Sequence, residues 1–354
     1  MVPFALIGAG WRAEFYLRIA RACPERFRVT GILARSPDKA ARLARDFGVP
    51  VVTELGGLLA AGPLFTVTSV SWDANPEWLR RLAAAGMPAL SETPPATGVE
   101  EMRGLCDLVG GGARIQVAEQ YHLQPHHAAR IAFARSGRLG RITQAQVSAA
   151  HGYHGISLIR RFLGLGCEPA EISAYTFTSP LVEGPGRAGP PAAERIQASQ
   201  QLVARFDFGD RLGVFDFTGD QYFSYVRRQR LLVRGERGEI VDGAATYLKD
   251  YLTPIAVEFR RHQAGPEGNL EGHYLKGIQA GDDWLYHNPL APGPLPDDEI
   301  ALGECLLRMA AHAEGGPPFY PLAEACQDRY LDILMHQSAE TGRPVVAERQ
   351  AWAW

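Results

Sequence analysis

Two hydrophobic patterns divide the 354-residue chain. Up to about residue 118, short continuous apolar runs alternate with amphipathic segments of helical length. Continuous apolar runs are typical of parallel strands that helices cover on both faces, so this part predicts an α/β domain. The predicted strands are FALIGAG, FRVTGILA, VPVV, FTVTSV, MPALS and ARIQVA, and the predicted helices span residues 11–22, 37–47, 76–85 and 98–109.

In the rest of the chain, polar and apolar positions alternate. This alternation is typical of half-exposed antiparallel strands, and it occurs in ITQAQVSAA, QLVARFDF, LGVFDFTG and RQRLLVRG. Helical periodicity occurs at residues 124–136, 155–163 and 322–341, and the segments 180–197 and 287–297, rich in proline or glycine, predict loops. We therefore expect a second, α+β domain with a large, mainly antiparallel open sheet.

A glycine-containing turn joins the first predicted strand to the first predicted helix. Residues 6–16, LIGAGWRAEFY, contain Gly8-x-Gly10-x-x-Ala13, with Trp11 and Arg12 at the start of the helix. In a dinucleotide site the first glycine forms the turn, the second admits the pyrophosphate, and the small third residue allows close helix packing. The motif therefore predicts a dinucleotide site, and the alternative is a tight turn without a ligand.

The end of the second predicted strand bears on the choice of cofactor. An NAD site usually places an acidic residue there to bind the ribose hydroxyls, whereas this chain has Ala34-Arg35-Ser36. A cation beside a hydroxyl suits a 2′-phosphate. The sequence favours NADP, with NAD possible and with Arg35 as an ordinary surface residue in the alternative.

The charge and the cysteine content narrow the class of partner. The 36 basic and 39 acidic side chains give a net charge of -3, so we expect neither a nucleic-acid nor a membrane-surface partner. The five cysteines are scattered without a Cys-x-x-Cys motif, which favours a reducing cytoplasm. We expect neither a signal peptide nor a membrane span. A small molecule is the expected partner.

Several segments together resemble the glucose-fructose oxidoreductase / inositol dehydrogenase / rhizopine-catabolism family, Gfo/Idh/MocA. They are LIGAGW, AAAGMPALSETPPA, SGRLGRITQAQVS, GYHGISLIRRFLG, RLLVRGERGEI and SAETGRPV. The resemblance implies a Rossmann domain over residues 1–120 and a substrate-binding and oligomerisation domain over 121–354. It also implies a nicotinamide cofactor, since members commonly oxidise or reduce sugars and cyclitols.

The chain departs from the family's catalytic motifs. The family's Glu-Lys-Pro stands here as Glu92-Thr93-Pro94, and its Asp-x-x-x-His stands as Ala150 and His154, so the lysine and the aspartate are absent. The loop SWDAN replaces the usual Pro-Asn-x-x-His, and QYH replaces a frequent Asn-x-Arg. The positions that the resemblance assigns to the cofactor are Trp72, Asn75, Glu92, Thr93 and Gln120.

Hydride transfer at a hydroxyl carbon needs a group that exchanges the hydroxyl proton near neutral pH. His154 suits this role because an unperturbed imidazole has a pKa of about 6.5. His151 precedes it by three residues and Tyr153 adjoins it, while Tyr121 and His122 follow the sixth predicted strand. His151 as a helix cap and Tyr153 as a core residue are the structural alternatives. The histidine spacing does not favour a metal site, because Pro125 interrupts it.

These residues predict an NADP-dependent oxidoreductase acting on a sugar, a cyclitol or a related polyol, with His154 as acid/base. Two other functions stay open: a glycosidase or epimerase with a tightly bound nicotinamide and transient oxidation, and a non-catalytic cofactor or sugar sensor. Alternating aromatics in RFDFGDRLGVFDFTGDQYF predict a sheet with one exposed face. Such a face favours a homodimer or homotetramer formed through the C-terminal sheet.

Overall fold

The structure, a computed structural model, describes residues 1–34, 36–265 and 272–353, which form two compact units. The first unit comprises Met1–His127, Arg261–Ile278 and Tyr286–Cys326, and the second comprises Ala128–Arg260, Gln279–Leu285 and Gln327–Trp354. The first unit therefore includes two segments that lie well beyond residue 120 in the sequence. One of them contains a helix, Asp297–Ala313, that packs on the first helix and on the first and fourth strands.

The first unit contains a parallel sheet with strand order β3-β2-β1-β4-β5-β6. Its strands are β1 (Val2–Ile7), β2 (Phe27–Leu33), β3 (Val51–Val52), β4 (Phe65–Thr68), β5 (Ala89–Ser91) and β6 (Ile115–Val117). Its first helices are α1 (Trp11–Ala22), α2 (Pro37–Phe47), α3 (Leu55–Ala60), α4 (Asn75–Ala84) and α5 (Val99–Gly110).

The central strands of this sheet are continuously apolar because neither face meets solvent. Every residue of β4, β5 and β6 is buried, and so are Phe4–Ile7 of β1. The prediction of a doubly wound α/β domain is confirmed, and the strand order is that of a dinucleotide-binding fold. The short helix α3 was not predicted, since its LGGLLA sequence has too few turns to show a periodicity.

The second sheet has eleven strands in the order β16-β15-β14-β13-β12-β11-β7-β10-β9-β8-β17 within the described residues. Its strands are β7 (Ile142–Ser148), β8 (Ala170–Val182), β9 (Ile196–Asp207), β10 (Leu212–Phe217), β11 (Arg230–Gly235), β12 (Gly238–Val241), β13 (Ala244–Leu248), β14 (Pro254–Ala264), β15 (Tyr274–Ala280), β16 (Asp283–His287) and β17 (Val345–Ala347). The pair β7–β10 is parallel, and the neighbouring pairs from β8 to β14 are antiparallel. The predicted mainly antiparallel open sheet is confirmed.

The remaining helices are α6 (Pro125–Arg135), α7 (Gly152–Leu163), α8 (Asp297–Ala313) and α9 (Leu322–Thr341). Helix α9 matches the helix predicted at residues 322–341. Helix α8 was not predicted: Glu299, Ile300, Ala301, Leu302 and Gly303 are all buried, so its sequence has no clear polar stripe. None of the described helices is both long enough and apolar enough to cross a membrane.

The predicted loop at residues 180–197 is shorter than expected. Strand β8 runs to Val182 and β9 begins at Ile196, so the connection spans residues 183–195. Pro180 lies inside β8 and faces Ala198 of β9. Strand β17 pairs with Ala170–Ile172 of β8, so among the described residues this edge of β8 is open at Pro180. A proline, which has no N–H to donate, is tolerated at an open edge.

Candidate active site

The turn between β1 and α1 has the form that a dinucleotide requires. Gly8 has a φ of 112°, and a Cβ atom there would lie 2.0 Å from the carbonyl oxygen of Ser69, so only glycine fits. A Cβ atom at Gly10 would meet nothing within 4 Å, which leaves open space at the first turn of α1. Ala13 is fully buried. The turn thus offers free space and helix N–H groups to a pyrophosphate.

The end of β2 does not by itself decide the form of the cofactor. Ser36 is the N-cap of α2, and its hydroxyl accepts a hydrogen bond from the backbone N–H of Lys39 at 3.4 Å. This contact uses one acceptor site of a hydroxyl that can also donate. Arg35, the other residue predicted to bind a 2′-phosphate, lies outside the described residues. Selection of NADP therefore stays a prediction.

A buried charge cluster surrounds Glu92, the residue that follows β5. Glu92 Oε1 accepts a hydrogen bond from Arg12 Nε at 3.0 Å and another from the hydroxyl of Tyr16. Arg12 Nη1 also lies 3.3 Å from Asp298 Oδ2 of α8. Only 16% of the Arg12 side chain and 11% of the Glu92 side chain are exposed. The cluster joins the start of α1 to the carboxyl end of β5, the edge where ligands of such sheets bind.

The cluster fixes the protonation state of Arg12 and Tyr16. Burial lowers the pKa of Arg12, but Glu92 and Asp298 more than offset this, so the pKa is raised overall. Burial, and then the negative charge of Glu92, raise the pKa of Tyr16 well above its usual value. Arg12 is therefore a permanent cation and Tyr16 a neutral donor, and neither exchanges protons near neutral pH.

The segment that carries Thr93 is held by Asn75, a predicted cofactor residue at the start of α4. Asn75 Oδ1 accepts a hydrogen bond from Thr68 Oγ1 at 2.6 Å, and Nδ2 donates to Ser91 Oγ at 2.8 Å and to the carbonyl of Pro95 at 2.9 Å. Asn75 is 3% exposed. Its amide therefore links the ends of β4 and β5 to the turn after β5, where the peptide bond Thr93–Pro94 is cis.

The other predicted cofactor residues differ in exposure. Trp11 and Trp72 are 53% and 46% exposed, so their rings are accessible to a ligand of the first unit. Thr93 is half-buried. Gln120 is 3% exposed, and its Nε2 donates to Asp298 Oδ1 at 3.3 Å. Asp298 was missed in the sequence, because it is separated from Arg12 by 286 residues and belongs to the helix that was not predicted.

Tyr121 and His122 form a short 3-10 helix, Tyr121–Leu123, after β6. The backbone N–H of Tyr121 donates to Glu119 Oε1 at 3.2 Å, and the His122 ring lies 5.2 Å from the ring of Tyr320. Both residues are half-buried. They follow a strand of the parallel sheet at its carboxyl end, as the sequence predicted.

The other predicted catalytic residues come together in the second unit, where α7 begins. His151 is the N-cap of α7, and its ring lies 4.9 Å from that of His154 and 5.4 Å from that of Tyr153. The rings of Tyr153 and His154 are 4.4 Å apart. His154 is 4% and Tyr153 5% exposed, whereas His151 is exposed. We call these three residues, with Tyr222 described next, the histidine cluster.

Tyr222 belongs to this cluster and was not predicted. It ends a short 3-10 helix, Gly219–Tyr222, and its hydroxyl accepts the backbone N–H of His151 at 3.1 Å. The same hydroxyl is 2.7 Å from His151 Nδ1, so it is placed to donate its own proton to that nitrogen. The sequence feature that could have revealed Tyr222 is the capping box formed by Thr218 and Gln221. This box marks a helical turn inside a segment that was interpreted as strand.

Across the described ranges, no group of three or more His, Cys, Asp or Glu side chains is arranged to hold a metal ion. The histidine cluster contains imidazoles and phenols, groups that can exchange protons and form hydrogen bonds.

Comparisons with known proteins agree with this geometry. Residues 2–118 match the family model GFO_IDH_MocA, described as an oxidoreductase family with an NAD-binding Rossmann fold. No curated protein sequence matches the chain.

Many solved structures share the fold, and two illustrate the likeness. Levoglucosan dehydrogenase in complex with NADH and levoglucosan has a TM-score of 0.70 and 18% sequence identity, covering 99% of this chain and 100% of that one. An oxidoreductase from Agrobacterium radiobacter, in complex with NAD+, L-tartaric acid and magnesium, has a TM-score of 0.67 and 16% identity, covering 97% and 98%. At these identities the likeness establishes the fold. Over residues 2–118 the chain is similar to the Gfo/Idh/MocA oxidoreductase family, whose model describes an NAD-binding Rossmann fold.

Proposed function

We propose that this protein is a nicotinamide-dependent oxidoreductase that transfers hydride to or from the hydroxyl-bearing carbon of a sugar, cyclitol or related polyol. The observation that carries the proposal is the histidine cluster, in which His154, the histidine that the sequence resemblance singles out, lies among aromatic and titratable side chains. The matched Rossmann domain supplies the reason to expect a nicotinamide. The similar structures named above include a dehydrogenase with NADH and a sugar derivative, levoglucosan.

His154 is the proposed acid/base. When bound, the nicotinamide supplies or receives the hydride, so the protein has to manage the hydroxyl proton. His154 is buried beside the exposed His151, and the Tyr222 hydroxyl bonds His151 Nδ1. We infer that His154 exchanges the substrate proton and that Tyr153, His151 and Tyr222 orient the substrate hydroxyl or pass the proton to solvent. Tyr121 and His122 stay proposed assisting residues.

The missing lysine is not replaced by a group of the same kind. Thr93 cannot act as an ammonium acid, and Arg12, the cation beside Glu92, holds its proton too strongly to give it up. Arg12 instead offers a fixed positive charge at the carboxyl end of β5. We infer that this charge, paired with Glu92, fixes the geometry of the cofactor-binding edge of the first unit. His154, in this proposal, exchanges the proton.

For the cofactor we infer NADP(H), supported by the cation and hydroxyl of Arg35 and Ser36 and by the absence of an acid at that position. Fluorescence titrations with NADPH and NADH test this choice. We expect tighter binding of NADPH, and we expect Arg35→Ala to weaken it by about tenfold or more while leaving NADH unchanged. Equal NADPH affinity in the wild type and in the variant contradicts the choice but leaves the oxidoreductase proposal in place.

The replaced lysine and aspartate favour one second candidate, a sensor that binds cofactor or sugar without turnover. A panel of sugars, cyclitols and polyols, assayed by the absorbance of reduced nicotinamide, separates the two. Net formation of reduced cofactor with a panel member supports the oxidoreductase. Cofactor binding with neither net nor transient reduction supports the sensor, and transient reduction without net turnover supports the glycosidase or epimerase.

We also propose self-association through the exposed face of the second sheet. Tyr175 and Phe177 lie two residues apart on β8, on the same face, and are 60% and 56% exposed. Aromatic residues that are this exposed and adjacent are typical of association surfaces. The expected occupant is a second copy of the chain. The alternating aromatics from which self-association was predicted do not form this surface, because Phe206, Phe215 and Phe217 are buried.

A further inference from the structure

The family's Asp-x-x-x-His motif lacks its carboxylate at the expected position in this chain. Ala150 occupies that position, is fully buried, and lies just before α7. The histidine cluster therefore has no acidic residue of its own along the segment from Ala150 to His154. A carboxylate from another element could still reach the same place.

Such a carboxylate comes from α9. Asp332 has a side chain that is only 4% exposed, and it lies against the backbone of Gly152, the first residue of α7. A Cβ atom at residue 152 would be 2.5 Å from Asp332 Oδ1 and 3.0 Å from its Cγ, so a larger residue would displace the carboxylate. Gly152 also has a φ of 40°, which side chains disfavour. The glycine thus lets the carboxylate approach one residue after His151 and two before His154.

One oxygen of the Asp332 carboxylate accepts no hydrogen bond from the described residues. Arg329 Nη1 donates to Oδ2, and His336 Nε2 lies 3.5 Å from Oδ1. Oδ1 is buried and accepts no hydrogen bond from the described residues. Burial raises the pKa of Asp332 above its ordinary value of 3.8, and Arg329 and His336 offset this only in part. Burial of a carboxylate oxygen without a hydrogen bond costs free energy, and carboxylates with a raised pKa are enriched at functional sites.

We propose that Asp332 is the carboxylate of the histidine cluster, a positioning residue that takes the place of the aspartate expected at position 150. The inference rests on the proposed function, because it assigns Asp332 to act through His151 and His154. A negative charge at the start of α7 favours the protonated form of a nearby imidazole. Asp332 therefore makes His154 a stronger proton acceptor. The charged and titratable groups against the carboxylate on its own helix are Arg329 and His336, and the start of α7 faces it through Gly152, which lies between His151 and the pair Tyr153 and His154.

Asp332→Asn tests the role of the charge with little change in shape. With a substrate from the panel, we expect kcat to fall at least about tenfold with the dissociation constant for NADPH unchanged. The melting temperature checks that the variant stays folded, because Arg329 loses a charged partner in it. Glu340→Gln, an exposed substitution on the same helix, is the matched control and should leave kcat unchanged. An unchanged kcat in Asp332→Asn overturns the proposal.

An NMR titration of the histidine rings gives a readout that needs no substrate. We expect Asp332→Asn to lower the imidazole pKa of His151 or His154 by roughly half a unit or more, and unchanged values for both rings overturn the proposal. Should Asp332→Asn fail to fold, Gly152→Ala displaces the carboxylate and should give the same imidazole shift. The two proposals can be rejected independently. If His154→Asn keeps full activity while Asp332→Asn still shifts the imidazole pKa of His151, the acid/base role of His154 is rejected and the assignment of Asp332 stands.

Discussion

At the scale of single residues, the second unit contains a buried ion pair between Arg160 of α7 and Asp328 of α9. Arg160 Nη1 lies 2.6 Å from Asp328 Oδ1, and the two side chains are 2% and 3% exposed. Arg160 also donates from Nε and Nη2 to the carbonyl of Gly166, at 3.0 and 2.6 Å. A buried guanidinium is tolerated only with such partners, so removal of the carboxylate leaves an unbalanced buried charge.

Asp328→Ala should therefore lower the free energy of unfolding by about 3–5 kcal/mol, measured by urea denaturation. Glu239→Ala is the control, since it breaks the exposed pair Arg234–Glu239, whose side chains are 53% and 40% exposed. That change should lower the free energy by less than about 1 kcal/mol. Equal effects from the two substitutions would show that burial of the Arg160 pair contributes nothing.

A second residue-scale prediction concerns acid stability of the first unit. Burial raises the pKa of Asp297, but hydrogen bonds from His126 and Arg261 outweigh it and lower the pKa to about 2. Because the folded pKa is below the ordinary 3.8, Asp297 stabilises the fold above about pH 4, and this is lost as the pH falls from about 4 to 2.

Urea denaturation of Asp297→Asn and the wild type over this pH range measures the effect. The wild type should be more stable by about 2 kcal/mol at pH 6, and the difference should shrink as the pH approaches 2. Asp38→Asn, in the first turn of α2, is the control for a helix N-terminal carboxylate. A difference between Asp297→Asn and wild type that is the same at pH 6 and near pH 2 would contradict the assignment.

At the scale of elements, Asn75 joins the end of β4, the end of β5 and the turn that carries Thr93. Asn75→Ala should lower the free energy of unfolding by about 2–3 kcal/mol, since several buried polar groups lose their partners. It should also weaken NADPH binding, because the turn after Glu92 is released. Calorimetry and fluorescence titration measure the two effects.

Asn288 provides a matched control for this prediction. It is 7% exposed, donates to the Leu275 carbonyl at 2.8 Å and accepts from the Leu290 N–H at 2.9 Å, within the loop after β16. Asn288→Ala should also lower stability but leave the NADPH affinity unchanged. Parallel losses of affinity in the two variants would mean that Asn75 acts on the cofactor only through global stability.

The elements also show what the sequence can predict. Apart from α3 and α8, the strands and helices of the first unit follow from apolar runs and helical periodicity, which are local properties. Helix α8 has no polar stripe because it is buried on most sides, so local pattern does not reveal it. The pairs Arg12–Asp298 and Gly152–Asp332 join residues far apart in the chain, and such pairs depend on tertiary packing. The glycine turn was predictable because a short motif, Gly8-x-Gly10-x-x-Ala13, specifies its conformation, whereas the roles of the histidines stay predictions.

At the scale of the whole molecule, the proposed self-association can be measured directly. Light scattering coupled to size-exclusion chromatography should show an oligomer for the wild type and a smaller species for the double variant Tyr175→Asp, Phe177→Asp. Val109→Asp is the control, since Val109 of α5 lies in the first unit and is 38% exposed. A monomeric wild type, or an oligomer that the double variant leaves intact, would contradict the proposed surface.

The central claim is that a histidine of the second unit exchanges the proton for hydride transfer on a nicotinamide. Single-turnover reduction of bound NADP+ by a panel substrate, followed by absorbance, tests it most directly. We predict that His154→Asn lowers the rate by about a hundredfold to ten-thousandfold with cofactor affinity retained, while His273→Asn, at an exposed histidine, matches the wild type. A wild-type rate in His154→Asn would contradict the claim.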